Sequence, residues 1–314
     1  MNTSTITPAV ARVQGLALVR VTGADAVDFL HGQFTQKIRG LEGAVRACGY
    51  CSPKGRLLAV FRAFPMTDGA VGLLVPASIV EGFVKRLRMY VLRSKVTLEV
   101  AAASIAVATG EAGAAALAAA GLEAPQTGRT TRADDAYLLG LTPAAAVEGF
   151  AAAGARTLLV SESTLSDKLP VVEETDDRTW RASEMAAGMP VVLAETLERF
   201  TPQAANLELA GGVVFDKGCY PGQEVVSRLQ HLGETKRRGA LALFDAAAPK
   251  AGDAVYFEGS ETGTVIDAVS LDGRTLVFAS VALEAAAAGF ALAPESAAGT
   301  PAALPYVYRN VLKD

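Results

Sequence analysis

The stretch from residue 57 to residue 100 constrains the fold most. Residues 57–64 and 70–75 read as two strands joined by a Thr67-Asp68-Gly69 turn. Residues 78–91, SIVEGFVKRLRMYV, read as a helix. Ile79, Phe83, Leu87 and Tyr90 fall on one face with Val80, Val84 and Val91 beside them, while Lys85, Arg86 and Arg88 point elsewhere. Ser78 followed three positions later by Glu81 matches a capping box. Residues 95–100 then alternate as a strand. Strand, strand, helix, strand is half of a split α+β unit, so the chain is expected to be α+β.

A second such unit follows. Residues 104–109 suggest a strand, 112–120 an alanine-rich helix, and 136–140 and 156–160 further strands. Upstream, residues 13–21 read as a strand, and Thr22 and Asp25 open a short helix carrying Phe29 and Leu30. A helix from Thr179 ends near Gly188, with Pro190 just beyond. After Gly239 the texture changes to short alternating runs separated by Gly-Asp, Gly-Ser and Asp272-Gly273 turns. That reads as a small antiparallel barrel or sandwich, with a boundary near residue 238.

Composition excludes several function classes. With 314 residues, half of them hydrophobic, the chain has the length of two or three globular domains. A net charge of −4 argues against a surface coated for DNA. No window is long and apolar enough to span a membrane, and Met1 to Val10 shows no basic targeting segment. Three cysteines make a disulfide framework improbable, and the cytosol is the simplest location. Two histidines, His31 and His231, do not supply a histidine-based zinc site, and no metal is expected. Neither a phosphate loop nor a dinucleotide fingerprint is present.

Residues 211–238, GGVVFDKGCYPGQEVVSRLQHLGETKRR, carry the strongest functional signal. Gly218 and Gly222 flank Cys219, Tyr220 and Pro221, where glycine admits close backbone approach and proline fixes a turn. From 217 to 238 there are five basic and two acidic residues, among them Lys217, Arg228 and Lys236. A thiol beside fixed positive charge leans toward thiolate. The opposing reading is a glycine-rich turn around a buried, inert Cys219.

Lys217-Gly218-Cys219-Tyr220-Pro221-Gly222-Gln223-Glu224 resembles the K-G-C-[FY]-x-G-Q-E signature of the YgfZ folate-binding family. Phe29-Leu30-His31-Gly32-Gln33-Phe34-Thr35, Cys51-Ser52-Pro53-Lys54-Gly55-Arg56 and Phe200 to Leu207 are similar to further segments of that family, in the same order. Two positions depart from the pattern. His31 stands for a glutamine, and Ala186-Ala187-Gly188 stands for Glu-Ala-Gly. The missing glutamate is a natural reader of a pterin edge, and Glu184 lies two residues before its position.

The resemblance implies a fold like that of the glycine-cleavage T-protein: two ferredoxin-like α+β lobes and a C-terminal antiparallel β-barrel. The corresponding division is 1–46 plus 166–238 for the folate-binding domain, 47–165 for the second lobe and 239–314 for the barrel. It implies tetrahydrofolate as cofactor and a role in iron–sulfur cluster assembly or repair, and through it in tRNA modification. Iron–sulfur enzymes or assembly proteins are then the expected partners. Cys219 would be the working thiol and Lys217 would set its electrostatics. Gly218 and Gly222 would shape the turn, and Arg228 would hold an anionic tail. Tyr220, Gln223, Glu224, Gln33 and Glu184 complete the expected folate contacts. Gln203 and Asn206 read equally as ligand amide contacts or as turn-stabilising groups.

Rival readings remain at this stage. A folate-dependent aminomethyltransferase would need a placed carboxylate, which Ala186 does not offer. An RNA-binding regulator would use the basic run at residues 85–95, which holds five basic residues and no acid but offers only Tyr90 for stacking. That run also reads as a solvated helix face or as a surface steering a polyglutamylated folate. Cys48-Gly49-Tyr50-Cys51 offers a C-x-x-C, for which two structural strand cysteines are the favoured reading. Trp180 is expected to anchor a core.

Overall fold

The computed structural model describes residues 8–133, 135–151, 153–165, 169–231 and 235–307. Three five-stranded antiparallel sheets organise it.

The elements run β1 (Val10–Arg12), β2 (Leu16–Thr22), α1 (Ala26–His31), β3 (Arg46–Cys51), β4 (Leu57–Pro65), β5 (Val71–Pro76), α2 (Val80–Val91) and β6 (Thr97–Ala101). Then come β7 (Ser104–Thr109), α3 (Gly110–Ala119), β8 (Thr130–Ala133), β9 (Ala136–Ala144), β10 (Gly154–Ser161) and α4 (Arg178–Ala186). The chain closes with α5 (Gln223–His231), β11 (Arg237–Phe244), β12 (Ala254–Phe257), β13 (Ser260–Leu271), β14 (Arg274–Ala282), α6 (Leu283–Ala288) and β15 (Thr300–Ala302).

The first sheet has the order β3-β4-β5-β2-β6. Its core joins Val19, Phe61 and Leu73 from strands to Leu30 of α1 and to Phe83 and Leu87 of α2. The helical periodicity of residues 80–91 is therefore what covers this sheet. The capping box is not formed. Residues Ala77–Ile79 make a 3-10 turn, so Ser78 lies inside that turn and Ile79, not Ser78, precedes α2.

The second sheet has the order β1-β7-β10-β9-β8, with α3 packed on β7 and β10. The alanine helix buries little beyond Gly110, Gly113 and Leu117. Gly113 is required there, since a Cβ would meet the Ala108 backbone at 2.8 Å.

The third sheet has the order β12-β13-β14-β11-β15. A closed barrel was expected. The sheet is open instead: among the described residues no pairing joins β12 to β15, and β15 is only three residues long. A register shift between Val265 and Asp267 bends β13 without closing the ring.

The expected division between residues 46 and 47 runs through the first sheet, because β2 pairs with both β5 and β6. Likewise β1 pairs with β7 of the second sheet. Strand pairing across a long sequence gap overrides contiguity. The expected boundary at 166 falls on residues 166–168, outside the described residues. The segment from Leu169 to His231 contributes α4, α5 and loops that fill the space between the sheets. Met185, Phe200, Leu207 and Val226 share one core with Leu57 and Val60 of the first sheet and with Leu241 and Phe278 of the third.

Candidate functional site

The turn around Cys219 is fixed at two points. Upstream, the Lys217 Nζ donates to the carbonyls of His31 at 2.6 Å and Phe34 at 2.5 Å. The same ammonium lies 4.9 Å from the centre of the Tyr220 ring. Thr35 anchors this contact from below. Its Oγ1 donates to the Gly212 carbonyl at 2.6 Å and accepts from the Gly49 N–H at 2.7 Å. Burial draws the Lys217 pKa down to about 8, against the opposing pull of the Cys48 and Cys219 sulfurs. Lys217 was expected to set the field around the thiol. Its ammonium ties the turn to the end of α1 and the loop after it, and its charge is felt at the Cys219 sulfur.

Downstream, two glycine turns cross back to back. Gly222 has φ +80°, and a Cβ there would collide with the Ser52 carbonyl and lie 2.8 Å from the Gly55 Cα. Gly55 has φ +69°, and its Cβ would lie 2.7 Å from the Val225 side chain. The glycines of two separate sequence motifs thus need each other, as close backbone approach requires. α5 starts at once: the Gln223 N–H donates to the Tyr220 carbonyl at 3.1 Å, and Val226 is fully buried.

Between these fixed points Cys219 is free and exposed. Gly218 is also exposed, and no atom lies within 4 Å of where its Cβ would be. Its expected role in shaping the turn therefore falls entirely to Gly222. Glu224 and Arg228 sit exposed on α5, and Gln223 is half-buried. Lys54, Arg56 and Arg199 are exposed close by, with the Arg56 Nη1 donating to the Arg199 carbonyl at 2.7 Å.

The remaining expected contacts are scattered. Asn206 is fully buried, and both ends of its amide bond Gly239, at 2.8 and 3.1 Å. With φ +61° it acts as a backbone splice between a loop and β11, not as a ligand contact. Gln203, also fully buried, donates to the Val226 carbonyl at 2.8 Å and so holds α5 in place. The sequence left these two amides open: the scaffold uses both ends of Asn206, whereas Gln203 spends its Nε2 on α5 and leaves its Oε1 without a partner.

Glu184 belongs to a different place again. Its Oε1 accepts from Arg62 Nη2 and Arg156 Nη1, both at 2.7 Å. Arg62 in turn stacks over the Trp180 ring at 5.1 Å. Glu184, Arg62 and Trp180, but not Arg156, border a cavity of about 40 Å³, walled by Phe61, Met185, Met189 and Phe278 at the junction of the first and third sheets with α4. None of residues 217–224 lines it. Arg156 was not anticipated. It is fully buried, and burial lowers its pKa against the pull of Glu184. The available signal was its place in β10, on the same face as Leu158 and Val160.

Four buried polar atoms near the Cys219 turn have no hydrogen-bond partner: Gln33 Oε1, Ser52 Oγ, Gln203 Oε1 and Tyr220 Oη. Such atoms call for water or a ligand group. Cys48 and Cys51 do not form a redox pair. Cys48 packs in the core of the first sheet and Cys51 in the core beneath α4, so they face opposite sides of β3. Burial pushes each thiol up to about 12. Among the described residues no group of three or more His, Cys, Asp or Glu side chains could hold a metal, and no helix is long and apolar enough to cross a membrane.

The chain is similar to curated proteins named tRNA-modifying protein YgfZ. The protein from Yersinia pseudotuberculosis is 31% identical over 308 residues, covering 93% of this chain and 90% of that one. The chain belongs to the YgfZ family. The YgfZ protein of Hamiltonella defensa is 31% identical over 275 residues, 82% of this chain and 78% of that one. No family model matches the chain. Among solved structures, the glycine cleavage system aminomethyltransferase T from Bartonella henselae superposes with a TM-score of 0.67 at 15% identity, covering 88% of this chain and 78% of that one. At that identity the likeness is one of fold, and this YgfZ-family chain shares the T-protein architecture.

Proposed function

We propose that this protein binds a tetrahydrofolate and, through Cys219, supports the assembly or repair of iron–sulfur clusters in enzymes that modify tRNA. The observation that carries the proposal is the exposed thiol on a turn held by Lys217 and by the Gly222–Gly55 crossing. A rigid turn that presents a thiol to solvent suits chemistry with a macromolecular partner. The tRNA-modifying name of the relatives agrees with this reading.

The cavity beside Trp180 has the chemistry for a pterin ring: an aromatic face, the Glu184 carboxylate and apolar walls. At about 40 Å³ it holds water rather than a ring system, so Met185 or Met189 must move to admit one. Glu184, held by two arginines, would then take the place of the family glutamate at position 186. Ala186 is fully buried and offers no acid, so the residues do not favour aminomethyl transfer.

Trp180 is the sole tryptophan of the chain, which makes the test direct. Tetrahydrofolate titrated into the protein is expected to quench Trp180 emission saturably, with matching heat in calorimetry, and Glu184→Ala should weaken both. Absence of saturable change in either readout rules out folate at this cavity. In cells, Cys219→Ala is expected to lower iron–sulfur enzyme activity under oxidative stress. Full activity would remove the thiol from the proposal.

A further inference from the structure

Nine large apolar side chains are exposed among the described residues, and four of them belong to α2, the residue that follows it and β6, two elements packed on each other. Met89 (59% exposed), Tyr90 (41%) and Leu92 (88%) lie at the C-terminal end of α2, and Val100 (44%) lies on β6, against which α2 packs. The Arg88 Nη2 ties the two elements together by donating to the Leu98 carbonyl at 2.5 Å. Leu92 is also held at φ +46°, a left-handed conformation that leucine rarely adopts. An apolar concentration of this kind marks an interaction site. Lys85, Arg88, Arg93 and Lys95 are exposed around it in a chain whose net charge is −4. None of the four forms an ion pair among the described residues.

We infer that this face docks an acidic polypeptide: a partner protein that presents an apolar residue ringed by Asp and Glu. Three observations select that occupant. An apolar centre with a cationic rim, rich in Met, Tyr and Arg, has the anatomy of a protein interface. β6 is the edge strand of its sheet, so its outward main-chain groups face no strand, and another polypeptide can pair with them whereas a bilayer cannot. A second copy of this chain is disfavoured, because a two-fold contact would set the cationic rim against itself. RNA would reward the cations and Tyr90, but not Met89, Leu92 and Val100.

The inference stands apart from the folate reading, and its test uses no folate. Three probes are titrated separately into the full chain: an extended peptide of alternating Leu and Glu, total tRNA, and phosphatidylglycerol vesicles. The peptide is expected to bind, more weakly as salt rises, and to lose about tenfold or more in affinity with Leu92→Asp and with the pair Arg93→Glu, Lys95→Glu. Leu92→Gly, which relieves the positive φ while removing the apolar side chain, serves as the folding control and keeps at least the wild-type melting temperature. The inference is overturned if the peptide fails to bind, if these variants leave its affinity unchanged, or if tRNA or vesicles bind more tightly with the same sensitivity.

Discussion

The segments 203–206 and 217–224 both match family motifs, yet they spend their polar groups in opposite directions. In the first, Gln203 and Asn206 are fully buried and bond the main chain of α5 and β11. In the second, Cys219 and Glu224 face solvent on a turn whose support comes from elsewhere: His31, Phe34, Ser52 and Gly55. One segment is a splice and the other is a presenting surface. A motif match alone does not separate the two, because scaffold amides and ligand amides are the same residue types. Partner count does so for Asn206, whose amide is spent at both ends, while the buried Gln203 keeps its Oε1 unpaired.

Substitutions can break this comparison. The largest effect is expected at Gly222→Ala. The new Cβ meets backbone on two sides and the backbone sits at φ +80°, so about 3 kcal/mol or more of stability should be lost. Asn206→Ala follows at about 2–3 kcal/mol, since it removes two buried hydrogen bonds to Gly239. Both are read as shifts in the urea midpoint. Gly218→Ala, four residues from Gly222, should change stability by less than about 0.5 kcal/mol. A large cost at Gly218 would mean that the turn is shaped differently.

The smallest expected effect is a pH dependence. Lys217 releases its proton near pH 8 in the fold but near 10.5 when unfolded, so across that window the unfolded state binds more protons and stability rises with pH. Because Lys217 is partly exposed, its share should stay under about 1 kcal/mol. The buried thiols act with the opposite sign. Cys48 and Cys51 ionise near pH 9 when unfolded and near 12 when folded, so their contribution falls as pH rises above about 9. Comparing wild type with Lys217→Met between pH 7 and 9 isolates the lysine. An identical slope in the two proteins would show that Lys217 is not buried as described.

Much of the fold was legible. Helical periodicity located α2, and apolar runs bounded by turn residues located the β4–β5 hairpin and the strands after Gly239, most of which are buried on both faces. The third sheet's openness was not legible, because strand runs carry no record of whether the edge strands meet. The sheet membership of β2 was equally hidden, as it depends on pairing across roughly fifty residues. At the site, the sequence singled out the Cys219 turn and the Ser52–Arg56 turn separately. Their contact through two glycines is a tertiary fact. Arg156 escaped notice because a lone arginine in an apolar strand gains its meaning only from Glu184, which lies on another element.

The central claim is that one thiol of three is presented while two are sealed in strands. Native protein treated at pH 8 with a small thiol reagent and followed by intact mass and peptide mapping tests it most directly. A single fast adduct at Cys219 is predicted, with Cys48 and Cys51 reacting only in denaturant. Labelling of Cys48 or Cys51 at the rate of Cys219, or protection of Cys219 in the native protein, would contradict the account.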